Sequence, residues 1–175
     1  MKRTVLALSF FLSLIALQLQ AQNDPAPQYL MNQNFPDSVL QMTFQSVGGE
    51  EATFAQILEG VKGKKVFVDI WASWCKDCVA GMPNLKKLQA QAEGEEVAFV
   101  FLSVDREETK WKQAIEKYNL VGDHYLISTG WHSPLTDYIV LDWIPRYFVL
   151  DENGEIVLSK AVKADDKKLQ EVLLP

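Results

Sequence analysis

The sequence predicts an α/β domain, a central mixed sheet flanked by helices, with a β-hairpin extension on its N-terminal side. Three observations predict it. Two apolar runs, Val66–Trp71 and Val97–Val104, enclose a stretch with apolar residues at helical spacing; such a strand–helix–strand crossover makes a parallel pair. Two further strand-like segments, Arg146–Leu150 and Glu155–Ser159, are joined by Asp151-Glu152-Asn153-Gly154, and Asn-Gly is a strong hairpin signal. An earlier alternation, Leu40-Gln41-Met42-Thr43-Phe44, runs into Gly48-Gly49, a second turn signal.

The elements follow in chain order. Leu40–Phe44 reads as an edge strand. Thr53 can cap a short helix through Leu58, and Gly60 and Gly63 bound the next strand. Val66–Trp71 is nearly all apolar, which suits a central strand buried on both faces. A helix from Cys75 places Val79, Met82, Leu85 and Leu88 on one face, and Pro83 lies inside it. Asp105-Arg106-Glu107-Glu108 resembles a capping box for a helix carrying Trp111, Ile115 and Tyr118. Ser133-Pro134 is an N-cap with a first-turn proline for a helix to about Val140. Asp165–Leu174 closes the chain as a helix.

Composition bounds the setting. Residues 1–21 read as a secretory signal: Lys2 and Arg3 form a basic start, Val5–Leu17 is almost wholly apolar, and Ala21 is the small residue before the cut. The apolar run is about 13 residues, short of the ~20 needed to span a bilayer. No cysteine stands directly after it, which excludes a lipoprotein anchor. Residues 22–36 are rich in Gln, Asn and Pro without periodicity and read as a linker or loosely ordered arm, leaving 37–175 as one domain. Without Lys2 and Arg3 the balance is 15 basic to 23 acidic residues. No basic cluster interleaves with aromatics, so no nucleic-acid partner is expected.

The only two cysteines stand two residues apart, in Trp74-Cys75-Lys76-Asp77-Cys78, after the apolar strand. A Cys-x-x-Cys that opens a helix is the arrangement thiol–disulfide exchange needs. Unpaired N–H groups and the positive end of the helix favour a thiolate at Cys75, and Cys78 lies one turn further in. As a staple the pair is a poor choice: closing so short a loop contributes roughly 2 kcal/mol, against ~3 for fifteen residues. As a zinc site it lacks ligands, since structural zinc takes four and His124 and His132 are about 50 residues away. Outside the cytosol an exposed pair drifts to the disulfide, so a reductant there must be supplied with electrons.

From about Phe35 onward the chain resembles the thioredoxin fold, specifically the TlpA/ResA-type extracytoplasmic branch. Four segments carry the resemblance. They are Val68-Asp69-Ile70-Trp71-Ala72-Ser73-Trp74-Cys75-Lys76-Asp77-Cys78, Pro83 five residues later, Trp143-Ile144-Pro145, and Tyr147 to Val157. The resemblance implies a thioredoxin-like fold and a thiol–disulfide oxidoreductase acting as a reductant. Its only redox group would be the Cys75–Cys78 disulfide, with no added cofactor. Cys75 would be the exposed, attacking thiol and Cys78 the buried, resolving one. Pro145 would be cis, and the backbone of Ile144 would pair with substrate. Trp74 would belong to the exposed platform around Cys75. Lys76 would favour the thiolate and Asp77 oppose it, both at the substrate-facing turn. Partners implied are a protein disulfide or thiol and a membrane electron donor of the DsbD/CcdA type, with the protein itself monomeric. Trp71 is expected in the core, Trp131 and Trp143 either line the docking surface or pack, and His124 and His132 are read as surface or loop residues.

One departure matters. The branch usually has Arg or Lys directly after the second cysteine and Glu three residues beyond it; here Val79 and Gly81 stand there. Asp69 occupies the place where cytosolic thioredoxins keep a buried Asp, so the proton-handling acid is expected at Asp69, its pKa raised by burial. With thioredoxin's own nucleophile pKa near 7 against about 8.5 for free cysteine, thiolate at pH 7 rises roughly 15-fold. A Brønsted slope of ~0.5 removes about 5-fold in nucleophilicity, for a net of only about 3-fold in attack. Two rival readings fit less well. A peroxiredoxin-like peroxidase needs Thr or Ser where Ala72 stands, and a Sco-like copper module needs three residues between its cysteines plus a histidine.

Overall fold

The computed structural model describes residues 30–174. The signal segment 1–21 and the first part of the arm lie outside the described residues. No described helix is long and apolar enough to cross a membrane. The elements are α1 (Asp37–Leu40), β1 (Thr43–Ser46), β2 (Glu51–Thr53), α2 (Phe54–Gly60), β3 (Lys65–Trp71), α3 (Lys76–Gln91) and β4 (Val97–Ser103). They continue as α4 (Glu108–Tyr118), β5 (Asp123–Leu126), α5 (Pro134–Tyr138), β6 (Arg146–Leu150), β7 (Ile156–Ala161) and α6 (Lys167–Leu173).

The strands form one seven-stranded sheet in the order β2-β1-β5-β4-β3-β6-β7. Its centre is parallel: β3 pairs with β4 from Lys65↔Val97 to Trp71↔Ser103, and β4 with β5. Both flanks are antiparallel, β6 and β7 on one side, β1 and β2 on the other. The crossover helices α3 and α4 follow β3 and β4, as parallel pairing demands. β3 is buried from Val66 to Trp71, matching its unbroken apolar run.

Local chemistry sets several boundaries as expected. Thr53 caps α2 with Gln56 in a reciprocal capping box, and Ser133 does the same for α5 with Thr136. Asp166 caps α6 through the Lys168 and Leu169 amides. Gly49 takes φ +95° in the β1–β2 connection, a conformation only glycine adopts without strain.

Four segments differ from the sequence reading. Leu40–Phe44 is not one strand: Pro36 leads into α1, whose Val39 is fully buried, and the strand starts only at Thr43. The end of the supposed arm is packed. Leu30 is fully buried, and Asn32 N–H donates to the Ile156 carbonyl while Ile156 N–H donates to Gln33. Phe35 sets its ring edge-on to Phe54 at 4.9 Å. β5 was not visible in the sequence; Asp123-His124-Tyr125-Leu126 is short and half polar, and is a strand because β4 and β1 pair with it from both sides. The box at Asp105–Glu108 does not form. Glu107 is the N-cap of α4 and makes no side-chain cap bond, because the Asp105 carboxylate is engaged elsewhere.

Candidate active site

β3 delivers the chain to the edge of the core, and α3 takes it away; between them Ala72, Ser73 and Trp74 make the turn. Asp105, just past the end of β4, fastens that turn. Its carboxylate accepts from Ser73 N–H at 2.8 Å, Ser73 Oγ at 2.7 Å and Ser103 Oγ at 2.7 Å, and it is buried. Sequence reading assigned Asp105 to a helix cap. Its real partner Ser73 is 32 residues away, so only the β3–β4 pairing reveals it.

Cys75 is the N-cap residue of α3, and its sulfur accepts from Cys78 N–H at 3.0 Å. The two cysteines form a disulfide with Cα atoms 5.3 Å apart. Cys75 was expected to be the exposed member and Cys78 the buried one. Both are buried, at 6% and 4% exposure, so access does not separate them in the disulfide state. Position does, since Cys75 starts the helix and Cys78 lies within it.

Across from the disulfide the Ile144–Pro145 peptide is cis. The Ile144 carbonyl oxygen lies 3.6 Å from Cys75 Sγ. In the disulfide this is a contact, because the sulfur carries no proton; a Cys75 thiol can donate there. Lys76 and Asp77 are exposed on the first turn of α3, and Trp74 is 59% exposed beside the disulfide. Trp71 is core. Two clefts flank the centre. One of about 450 Å³ is lined by Asp77, Gly81, Trp143, Pro145 and Lys163. The other, of about 480 Å³, runs between Trp74 and Trp131 with Arg106, Lys110 and His132 around it.

Asp69 is buried within β3, and burial pushes its carboxyl well above the usual range. Among the described residues its Oδ1 has no hydrogen-bond partner. It is paired in register with Tyr147 of β6, so the two side chains share a face of the sheet. A Cβ on Gly81 of α3 would sit 3.5 Å from Tyr147 Oη, which places α3 over that same face. The acid and the cysteine-bearing helix are thus on one side of the sheet. Val79 is half-buried on α3.

The histidines divide. His132 is exposed as read, but His124 is a buried strand residue stacked on Phe101 at 4.6 Å, with Nε2 against the Leu120 carbonyl at 3.2 Å. Desolvation holds its imidazole below the ordinary value. Among the described residues no three His, Cys, Asp or Glu side chains gather as a metal site.

Comparison with known proteins gives a consistent picture. The Redoxin family model matches residues 31–173. The thioredoxin-like protein YneN of Bacillus subtilis is 31% identical over 116 residues, covering 65% of this chain and 64% of YneN. The thiol-disulfide oxidoreductase ResA of Oceanobacillus iheyensis is 28% identical over 133 residues, covering 76% of this chain and 61% of ResA. The chain therefore spans under two thirds of the length of these relatives. Among solved structures, the thioredoxin domain of a thiol-disulfide oxidoreductase from Bacteroides vulgatus superposes with TM-score 0.66 at 25% identity, covering 82% of this chain and 97% of that one. A thiol-disulfide oxidoreductase from Bacteroides fragilis gives 0.64 at 25%, covering 78% and 100%.

Proposed function

This chain belongs to the Redoxin family and has a thioredoxin-like fold, and on that premise we propose that it is an extracytoplasmic thiol–disulfide oxidoreductase that reduces disulfides of envelope proteins. The observation that carries the reading is the meeting of three parts: the Cys75–Cys78 pair, the start of α3, and the cis Ile144–Pro145 segment 3.6 Å from Cys75 Sγ.

The exchange runs as follows. In the dithiol state the Cys75 thiolate attacks one sulfur of a partner disulfide, and the other partner sulfur leaves as a thiolate. Cys78 then gives up its proton, with Asp69 as acceptor, and attacks Cys75 of the mixed disulfide. The partner leaves with two thiols and the Cys75–Cys78 disulfide is restored. The 3.0 Å bond from Cys78 N–H and the positive end of α3 stabilise the Cys75 thiolate, and with it the reduced form. The Ile144 carbonyl acts oppositely, presenting its negative end to the sulfur. Trp74, Lys76, Asp77 and the backbone of Ile144 form the surface a partner meets.

Reduction outside the cytosol needs a continuing electron supply, for which a membrane dithiol donor of the DsbD/CcdA type has the right chemistry. Export rests on residues 1–21, with the mature chain starting at Gln22. N-terminal sequencing of protein from the native host tests this, and membrane-bound protein retaining residues 1–21 would overturn it.

Reduction of insulin by dithiothreitol is the direct test of activity. The protein is expected to accelerate it, Cys75→Ser to abolish the acceleration, and Cys78→Ser to trap a mixed disulfide. No acceleration by the wild-type protein would end the reading. Trapping with Cys78→Ser in the native host identifies the partner.

A further inference from the structure

The residue after the cis-proline is an arginine, and its side chain is fully buried. Guanidinium keeps its charge at ordinary pH, so a buried one must be met by partners. Burial draws Arg146 down to about 10, which leaves it charged at neutral pH.

Among the described residues its hydrogen-bond partners all lie in one short stretch just upstream, and its Nε has none. Arg146 Nη1 donates to the Ile139 carbonyl at 3.1 Å, and Nη2 to the Val140 carbonyl at 3.4 Å. Nη2 also pairs with the Asp142 carboxylate. The second oxygen of Asp142 accepts from Lys160 Nζ on β7 at 2.6 Å. The stretch is thereby tied to β6 by one cation and to β7 by another.

That stretch is held in an unrelaxed shape. Val140 has φ +50°, and the left-handed region is costly for a β-branched residue. Its side chain is half exposed, so core packing does not compel the conformation. Arg146 grips the carbonyl of this same residue. The chain then passes through Trp143 to Ile144, whose carbonyl touches the active sulfur. An apolar side chain would anchor the stretch without the desolvation cost of a buried charge. A planar fork that reaches two carbonyls and a carboxylate fixes orientation as well as proximity.

We propose that Arg146 is a positioning residue: its clasp on Ile139, Val140 and Asp142 sets the height and orientation of the Ile144 backbone beside the disulfide. It thereby governs capture of a partner polypeptide far more than the reactivity of the disulfide, which it reaches only through the 3.6 Å contact of the Ile144 carbonyl. The proposal rests on the exchange activity given above and adds no redox step to it.

The experiment compares wild type, Arg146→Lys and Asp142→Asn on two substrates. Insulin needs backbone docking. The small disulfide 5,5′-dithiobis(2-nitrobenzoate) is reduced by the protein's own dithiol and needs none. Arg146→Lys keeps a cation but loses the fork. Asp142→Asn acts at the more exposed end of the network and tests the role even where the buried substitution unfolds the protein. Both variants are expected to lose roughly 10- to 100-fold in kcat/KM on insulin, chiefly through KM, since misplacement by about 1 Å can cost that much. Rates on the small disulfide, and the equilibrium with glutathione, change by no more than about 3-fold, because the Ile144 carbonyl makes only a weak 3.6 Å contact with Cys75 Sγ. Wild-type kinetics on insulin for Asp142→Asn, or equal losses on both substrates, would overturn the positioning role. A wild-type protein that reduces neither substrate would instead overturn the exchange activity, and the positioning role with it.

Discussion

Asp69 and Tyr147 stand opposite each other on β3 and β6, both buried, on the face of the sheet that α3 covers. Burial and then the Asp69 charge push the Tyr147 phenol well above its ordinary value, and burial alone raises Asp69. Burial opposes ionisation of both groups, which makes the Asp69 carboxylate a stronger proton acceptor than a solvated one.

Below the unfolded carboxyl value of about 3.9 both states are protonated, and the raised pKa contributes fully to stability. As pH rises the unfolded chain ionises first, so the contribution is lost on the way up through the folded pKa. Asp69→Asn has no such loss. Its stability advantage over wild type is expected to grow by about 1–3 kcal/mol between pH 4 and 8. Urea unfolding at several pH values measures this, and a pH-independent difference would count against a pKa raised by burial at Asp69. The same variant should slow resolution of the mixed disulfide more than the initial attack, as read by stopped-flow kinetics. Equal slowing of both steps would remove Asp69 from proton transfer.

Asp105 carries three hydrogen bonds at the active-site turn. Asp105→Ala leaves the Ser73 amide and two hydroxyls without that acceptor. At about 1–3 kcal/mol for a buried unsatisfied group, a loss of roughly 2–4 kcal/mol is expected. Urea unfolding of the oxidised protein gives the number, and a loss below about 0.5 kcal/mol would show that water replaces the carboxylate.

Gly81 is an interior position of α3, where glycine is poorly helix-forming. A Cβ there meets only Tyr147 Oη, at an ordinary 3.5 Å. Gly81→Ala is expected to stabilise by up to about 1 kcal/mol, from the helix propensity difference. A fall in thermal midpoint would mean that α3 packs more tightly on Tyr147 than this distance allows.

With exposure equal, thiol reactivity distinguishes the cysteines. Cys75 at the helix start is expected to be alkylated first after reduction, with Cys78 following more slowly. Peptide mapping after brief iodoacetamide treatment reads the order, and faster labelling of Cys78 would exchange their roles.

What the sequence disclosed and what it hid divide along range. The cysteine pair, the Thr53 and Ser133 caps and the Asn153-Gly154 turn act through neighbours a few residues away, and each is legible as a string. The cis bond at Pro145 was reached through resemblance, not through propensity. Asp105 and Arg146 were not legible. Asp105 looks like a cap until β3 is laid beside β4, and Arg146 looks like the start of a hairpin strand until the 139–142 stretch folds back on it. β5 failed for the same reason, because His124 and Tyr125 become a strand only between two partners. Asp69 lies between these cases. Its apolar neighbours advertised burial, but its relation to Tyr147 needed the register.

The packed segment before α1 has a consequence for how molecules of this protein avoid one another. β7 is the outer strand of its flank, and an open strand edge invites pairing with another chain. Asn32 and Gln33 already occupy both backbone groups of Ile156 at the start of that edge, and Leu30 anchors them in the core. This short piece of chain is therefore a guard against edge-to-edge aggregation. A shortened form beginning at Asn34 would keep every residue of the redox centre and lose its solubility first.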